Sequence, residues 1–233
     1  MQLRFIWILF ISLSFYSQDK SKQLLFVGNS LTYTNDLPKI VEHIASNFNE
    51  TVETIALCYP NYALVDHLKE GKLQKLLKTG TFDYVIVQQG PSSQNEGKQM
   101  LLNDGAKIKV LCDDNGSQLA FFMVWPSKYY YHTFDAVIAN HKLAAKTNNA
   151  LLCPVGELWK AYDTVKGLET LYSTDDFHPS KAGSFLAALT IFNTIYPDKT
   201  LKDLPFEMSQ TWMTSKDSFH SIIKLINNKN LKK

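Results

Sequence analysis

The chain has 233 residues, of which 45% are hydrophobic and 20% are charged, and this balance excludes both a disordered chain and a multispan membrane protein. Its formal net charge is +2, and its one basic cluster is formed by Lys229, Lys232 and Lys233 at the C-terminus. Nucleic acid is therefore a poor candidate partner, because phosphate binding needs a concentrated basic surface.

Residues 1–17 have the layout of a secretory signal peptide. An Arg stands near the start, an apolar run extends from Phe5 to about Tyr16, and small and polar residues follow. A permanent anchor is the alternative, but the run is shorter than the ~20 residues that span a bilayer. The sequence predicts a secreted or periplasmic protein with one domain at 18–233 and no membrane span after signal removal.

The rest of the chain alternates short apolar runs with amphipathic stretches. We expect five strands, at 24–27, 52–57, 84–87, 119–125 and 150–153. We expect helices at 37–48, 64–77, 97–113 and 133–148, and a final one from 179 to about 196. This alternation predicts an α/β protein, a three-layer α/β/α sandwich with a parallel sheet of about five strands. Reactive groups then gather in the loops beyond the carboxyl ends of the strands.

The turn after the first predicted strand reads Gly28-Asn29-Ser30. A serine at this point is well placed for nucleophilic attack, because the flanking glycine allows a tight backbone and the hydroxyl faces the ligand crevice. The alternative is structural. Gly-Asn-Ser is also common turn chemistry, and an Asn or Ser near a helix start can simply cap that helix.

Asp175 and His178 stand three residues apart, just before the last predicted helix. A serine hydroxyl needs a base, and the base needs a carboxylate that holds its tautomer and stabilises its imidazolium. Asp175 can bind one nitrogen of the His178 ring while the other nitrogen faces Ser30. The alternative is that Asp175 or Asp176 merely favours the helix N-terminus and that His178 is a surface cap.

The Gly-Asn-Ser-Leu block at 28–31 and the Asp-x-x-His block at 175–178 together resemble the first and fifth blocks of the SGNH hydrolases, also called GDSL esterases. The resemblance covers the whole mature chain in order and spacing. It implies a flavodoxin-like sandwich, no metal or other cofactor, and hydrolysis of acyl esters through an acyl-enzyme. By motif matching, Ser30 is the nucleophile, His178 the general base and Asp175 its orienting acid.

The resemblance also implies an oxyanion hole, to which Ser30, Asn61 and one of two glutamines are assigned. Asn61 best matches the second-block glycine, since Asn tolerates a left-handed backbone, although a purely structural turn fits equally well. The third block normally has an Asn, but this chain has Gln88 and Gln89 and resembles branches with Gln there. An amide N–H₂ from either glutamine can replace the Asn donor, and the choice between them stays open.

The other reactive residue types carry weaker signals. His67 is interpreted as structural or as a residue behind the site, because a lone helical His rarely needs a catalytic explanation. No paired His and carboxylate spacing outside the 175–178 block indicates a metal. We expect Cys58 and Cys153 to be small buried side chains. The aromatic loop at 125–132 lies on the reactive edge, where it either contacts substrate or packs an insertion.

The leading hypothesis is an exported serine hydrolase whose substrate is a small-molecule or carbohydrate ester, with a short-chain acyl or carbohydrate O-acetyl group as the candidate. The acyl preference is analogy, because fold and triad do not choose the substrate. The alternative is a catalytically weak or inactive carbohydrate- or ligand-binding protein on the same fold, motivated by the altered second and third blocks. A third hypothesis, phosphate binding at the first turn, lacks a Gly-rich loop and a Lys.

Overall fold

The computed structural model describes residues 21–230, so the predicted signal peptide at 1–17 lies outside the described residues. The strands are Lys22–Gly28 (β1), Val52–Cys58 (β2), Tyr84–Val87 (β3), Gln118–Phe122 (β4) and Leu151–Cys153 (β5). They form one parallel sheet in the order β2-β1-β3-β4-β5, which is the order of flavodoxin-like folds. The predicted α/β sandwich with five parallel strands is confirmed.

The helices of the described part of the chain connect these strands and cover the sheet. They are Ser30–Tyr33 (α1), Leu37–Ser46 (α2), Leu64–Glu70 (α3), Lys72–Thr79 (α4), Asn95–Asp114 (α5), Phe134–Thr147 (α6), Val155–Asp163 (α7), Lys181–Ile195 (α8) and Lys216–Asn230 (α9). Over residues 21–230, no helix has the length and apolar character that a membrane crossing requires.

Two helix predictions differ from the structure. The helix predicted at 64–77 is divided into α3 and α4, because Gly71 between them has a left-handed backbone with φ +79°. The short helix α1 and the helices α7 and α9 were not predicted. Helices α7 and α9 pack against α8, outside the simple alternation of strand and helix that the sequence pattern indicated.

Two predictions about the helix at 179–196 were wrong: its first residue, and its place as the last helix of the chain. The helix begins at Lys181, with Ser180 as its cap, and α9 follows it. Pro179 lies instead in a short antiparallel bridge with Tyr172. The backbone N–H of Ser180 donates to the Leu171 carbonyl at 2.8 Å, which keeps this segment extended.

Apolar side chains fill the space on both faces of the sheet. Along β1, Leu24 and Phe26 contact one core cluster, and Leu25 and Val27 contact the other, as the alternation of a strand requires. The first cluster includes residues of α2, α7, α8 and α9, and the second includes residues of α3, α4, α5 and α6. Helix α8 is buried almost all round, because it is enclosed between the sheet and other helices.

The strand register brings three loops to one edge of the sheet. Gly28 at the end of β1 pairs with Cys58 at the end of β2, and Val27 pairs with Val87 at the end of β3. Because the strands are parallel, the loops that leave these ends begin side by side at the carboxyl edge. The turn that contains Ser30 therefore lies between the loops that follow β2 and β3.

Candidate active site

Ser30 is the first residue of α1, directly after β1. The preceding Asn29 caps this short helix, since its side-chain oxygen accepts a hydrogen bond from the Leu31 N–H at 3.1 Å. Asn29 also donates from its side-chain nitrogen to the Tyr62 carbonyl at 3.0 Å, which joins the turn to the loop after β2. The capping role thus belongs to Asn29, and the Ser30 hydroxyl is directed to a different partner.

That partner is the imidazole of His178, which is 148 residues away in the chain. His178 Nε2 lies 2.9 Å from Ser30 Oγ, and His178 Nδ1 lies 2.6 Å from Asp175 Oδ2. The structure thus places the three side chains predicted to form a triad in one hydrogen-bonded series. Their order, hydroxyl to imidazole to carboxylate, is the order that serine hydrolysis requires.

The protonation of this series follows from the environment of Asp175. A hydrogen bond from the Ser173 hydroxyl, and then one from the His178 ring, hold the pKa of Asp175 well below its ordinary value. Asp175 is therefore a carboxylate at neutral pH and can only accept hydrogen bonds. The proton of a neutral His178 ring is then on Nδ1, which leaves Nε2 free to accept the proton of Ser30.

A tight turn positions Asp175 relative to His178. Besides the ring contact, Asp175 Oδ1 accepts hydrogen bonds from Ser173 Oγ at 2.6 Å, Phe177 N–H at 3.0 Å and His178 N–H at 2.9 Å. The turn is closed by the Ser173 N–H, which donates to the His178 carbonyl at 2.8 Å. Asp176 at its tip has a left-handed backbone with φ 58°.

The loop after β4 is hydrogen-bonded to this turn at two backbone carbonyls. Trp125 donates from its indole N–H to the Phe177 carbonyl at 3.0 Å, and the Lys128 N–H donates to the Asp176 carbonyl at 2.9 Å. Trp125 is fully buried and stacks on Trp159 with ring centroids 3.6 Å apart. This packing fixes the base of the aromatic loop, whose substrate contact stays a prediction.

The residues assigned to the oxyanion hole beside Ser30, which are Asn61 through its backbone N–H and Gln88 or Gln89 through a side-chain amide, differ in their hydrogen bonds. Asn61 is exposed and has a left-handed backbone with φ 61°, as its match to a glycine position would require. Gln89 is buried, with its oxygen accepting from the Leu64 N–H at 3.3 Å and its nitrogen donating to Ser92 Oγ at 3.0 Å. Its amide N–H₂ is therefore already committed to the loop after β3.

Gln88 presents its oxygen, and not its nitrogen, to the nucleophile turn. Gln88 Oε1 accepts hydrogen bonds from the Asn29 N–H and the Thr32 hydroxyl, both at 2.9 Å. Gln88 Nε2 is buried and has no hydrogen-bond partner among residues 21–230. Gln88 thus holds the uncommitted amide N–H₂ of the pair, although that nitrogen is closed off from solvent.

Two depressions flank the triad at the carboxyl edge of the sheet. Ser30 and His178 open onto a cavity of about 620 Å³ whose lining is rich in hydroxyl groups and includes Lys181. A cavity of about 680 Å³ lies on the Asp175 side, and Phe177 contributes to its largely apolar wall. The first is the candidate reaction site, although it is slightly smaller, because the predicted nucleophile Ser30 lines it.

Sequence reasoning missed Ser173, which donates the shortest hydrogen bond to Asp175 Oδ1. The local signal at this turn is Asp175, since an Asp side chain commonly accepts from the backbone N–H two residues on, but that signal does not single out Ser173. His67 was interpreted as structural or behind the site, and it is fully buried with Nε2 2.9 Å from the Gly28 carbonyl. Cys153 is buried and Cys58 partly so, and burial raises the pKa of the Cys58 thiol to about 12.

Histidine and acidic side chains elsewhere do not form a second reactive cluster in the described residues. His43 Nε2 lies 2.9 Å from the Met208 carbonyl, and His141 is buried against the Val137 carbonyl. Across residues 21–230, no group of three or more His, Cys, Asp or Glu side chains is arranged to hold a metal ion.

Comparison with solved structures shows an SGNH hydrolase-like fold. A DUF4886 family protein from Bacteroides uniformis has a TM-score of 0.74 at 14% identity, over 91% of this chain and 95% of that one. A candidate SGNH hydrolase from Slackia heliotrinireducens has a TM-score of 0.64 at 24% identity, over 76% and 100% of the two chains. An acetyl-xylooligosaccharide esterase variant from Geobacillus has a TM-score of 0.55 at 16% identity, over 75% and 94%. No family model and no curated protein sequence matches the chain significantly.

Proposed function

We propose that this protein is an exported serine hydrolase that cleaves carboxylic esters through an acyl-enzyme on Ser30. One observation carries the proposal: Ser30 Oγ lies 2.9 Å from His178 Nε2, while Asp175 binds the opposite nitrogen of the same ring at 2.6 Å. If the Ser30 turn and the His178 segment had only structural roles, nothing would require the hydroxyl, the imidazole and the carboxylate to meet in this order.

The chemistry assigned to the triad runs in two halves. Ser30 Oγ attacks the ester carbonyl carbon as its proton passes to His178 Nε2, and the Asp175 carboxylate stabilises the imidazolium. His178 then returns this proton to the departing alkoxide, so the alcohol leaves and the acyl group stays on Ser30. Water attacks the acyl-enzyme, its proton goes to His178 and then to Ser30 Oγ, and the carboxylic acid is released.

The oxyanion donors we assign are the backbone N–H groups of Ser30 and Asn61 and the amide N–H₂ of Gln88. Ser30 N–H makes no hydrogen bond within the described residues, and Asn61 stands in the loop that Asn29 holds beside the nucleophile. Gln88 is preferred to Gln89, whose N–H₂ is committed. A substrate reaches Gln88 Nε2 only if the side chains that cover it move, which predicts slow rather than absent turnover.

For the substrate we propose a short acyl ester, with a carbohydrate O-acetyl ester as the first candidate. The support is the hydroxyl-rich cavity that Ser30 and His178 line, together with an esterase of acetylated xylooligosaccharides among the proteins of the same fold. Hydroxyl groups set in a largely apolar lining suit the mixed polar and apolar faces of a sugar. Export, by a signal peptide at 1–17, completes the proposal.

The test is covalent labelling of the folded protein by a fluorophosphonate, together with turnover of p-nitrophenyl acetate. We expect wild type to be labelled at Ser30 and to release p-nitrophenol, and Ser30→Ala to do neither above the background rate. Ser46→Ala is the matched control, because that hydroxyl only donates to the His43 carbonyl in α2 and should leave both readouts unchanged. Equal rates for wild type and Ser30→Ala would contradict the proposal.

A second candidate function is binding of a carbohydrate or similar ligand without efficient chemistry. It is favoured by one observation, the burial of both glutamine amides that stand where an oxyanion donor is expected. This alternative predicts saccharide binding by wild type and Ser30→Ala alike, with no labelling of Ser30 in either protein.

A further inference from the structure

The peptide bond that precedes the nucleophile by one residue is held at both of its polar ends by buried side chains. The carbonyl of Gly28 accepts a hydrogen bond from His67 Nε2 at 2.9 Å. The N–H of Asn29, in the same peptide group, donates to Gln88 Oε1, also at 2.9 Å. His67 is 0% exposed and Gln88 is 1% exposed, so water does not compete for either hydrogen bond.

We propose that His67 and Gln88 form a clamp on the Gly28–Asn29 peptide and are positioning residues for Ser30. The clamp acts on the backbone directly before Ser30, so it sets where the hydroxyl stands relative to His178. The inference rests on the proposed function for its kinetic consequences, whereas the clamp itself is a structural claim that can be tested separately.

Gly28 is what allows the clamp to close. A Cβ at this position would lie 2.6 Å from Gln88 Oε1 and 2.8 Å from Thr32 Oγ1, closer than real side chains approach. Gln88 can therefore lie across the turn only above a glycine. The same oxygen also accepts from the Thr32 hydroxyl, which extends its hold into the first turn of α1.

The helix that carries His67 is itself anchored to the end of β3. At the start of α3, the Ala63 N–H donates to Asp66 Oδ2 at 2.9 Å, and the Leu64 N–H donates to Gln89 Oε1 at 3.3 Å. The two neighbouring glutamines thus act on different partners. Gln88 holds the nucleophile turn, while Gln89 holds the helix from which His67 reaches the same turn.

The environment of His67 selects the form that the clamp needs. Burial lowers the pKa of His67, which outweighs the opposite effects of the Gly28 hydrogen bond and of Glu70 and Asp66. The ring is therefore neutral at neutral pH. Its Nε2 must carry the hydrogen, because a carbonyl oxygen can only accept, and Tyr62 packs against the ring at a centroid distance of 5.1 Å.

The experiment compares His67→Leu and Gln88→Met, which each remove one half of the clamp, with His67→Gln, which keeps an N–H donor near the Nε2 position. Hydrogen exchange of the Asn29 amide reports the clamp without any substrate. We expect exchange at least about tenfold faster in His67→Leu and Gln88→Met, and within about threefold of wild type in His67→Gln. Turnover of p-nitrophenyl acetate should fall about tenfold in kcat in His67→Leu, with KM within twofold. It should fall further in Gln88→Met, which also loses the amide assigned to the oxyanion hole, and stay near wild type in His67→Gln.

His141→Leu is the matched control, because His141 is an equally buried histidine in α6. It should lower the melting temperature without changing Asn29 exchange or kcat. The double variant His67→Leu/Gln88→Met should lose little more kcat than Gln88→Met alone, because one released end already frees the peptide. If His67→Leu does not fold, Asn29 exchange in Gln88→Met and His67→Gln still decides, because exchange does not depend on the oxyanion hole.

The clamp would be overturned if His67→Leu and Gln88→Met had a lower melting temperature but wild-type kcat and wild-type Asn29 exchange. Both residues would then contribute only to the stability of the core. If the fold-losses of kcat in the two single variants multiplied in the double variant, His67 and Gln88 would act independently, and the idea that they act together on one peptide would be wrong. Failure of wild type to hydrolyse esters or to react with the phosphonate would instead refute the proposed function, and the exchange comparison would still judge the clamp.

Discussion

Replacing Asp175 by Asn tests the electronic half of the triad without changing its shape. The carboxylate makes four contacts, three of them to Oδ1 from Ser173, Phe177 N–H and His178 N–H, and one from Oδ2 to His178 Nδ1. An Asn keeps the first three only if its oxygen takes the place of Oδ1. Its N–H₂ then faces His178 Nδ1 as a donor and forces the ring hydrogen onto Nε2, where it blocks acceptance of the Ser30 proton.

The size of the effect follows from these contacts. Turning the Asn amide round restores the productive tautomer but gives up the hydrogen bonds from the Phe177 and His178 N–H groups, at about 1 kcal/mol each, since only the Ser173 hydroxyl can turn and accept from an N–H₂. That penalty of about 2 kcal/mol is a loss of about 30-fold in rate, and the missing negative charge beside the imidazolium adds to it. The same exchange in another Ser-His-Asp triad costs about 10⁴-fold, so we expect a loss between about 10²- and 10⁴-fold.

The assay is kcat/KM for p-nitrophenyl acetate at neutral pH, where the lowered pKa of Asp175 keeps its carboxylate ionised in wild type. Asp176→Asn is the control, since that residue pairs with Lys128 at 2.7 Å and its left-handed backbone suits Asn. It should keep near-wild-type activity. Retention of more than a tenth of wild-type activity by folded Asp175→Asn, or an equal loss in Asp176→Asn, would refute this account of the triad.

Three further changes are expected to act on stability, each measured by thermal or denaturant unfolding. Gly183→Ala should cost about 1–3 kcal/mol because its Cβ overlaps a backbone carbonyl oxygen, whereas Gly90→Ala, with open space around it, should stay within about 0.5 kcal/mol of wild type. Asn61→Val should cost about 1–2 kcal/mol because of its left-handed backbone, and Asn61→Gly should not. Burial lowers the pKa of His141 to about 4, so wild type should lose stability as the pH falls from about 6.5 towards about 4. His141→Leu should reduce that loss, leaving the part that comes from the lowered pKa of buried His67, and exposed His220→Leu should leave the loss unchanged.

The parts of this protein that could be predicted from sequence are those decided between near neighbours in the chain. Short runs of four to seven residues indicated all five strands, and most of these runs are nearly continuous apolar because a strand covered on both faces must be. Asp175 and His178 are three residues apart, so one turn suffices to join them, and their pairing could be inferred directly. The left-handed backbone at Asn61 likewise follows from a preference of the residue itself.

Boundaries and side-chain assignments failed where a distant segment decided them. The helix expected from Pro179 begins two residues later, because pairing with Tyr172 holds that segment extended. Which glutamine, Gln88 or Gln89, can serve the oxyanion hole could not be predicted, because the two neighbouring residues are identical. The choice depends on which of them lies against the Gly28 turn and which lies against α3, and that is set by the packing of three elements.

The sequence by itself determined the class of fold, the positions of the strands and the two short segments that hold the candidate reactive groups. Only the tertiary structure decided that Ser30 and His178 are 2.9 Å apart, that Asn29 donates to Gln88, and that His67 reaches the Gly28 carbonyl. The physical reason is the range of the forces. Local backbone preference and hydrophobic periodicity act over a few residues, whereas contacts across 39 to 148 residues exist only once the sheet order and both cores have formed.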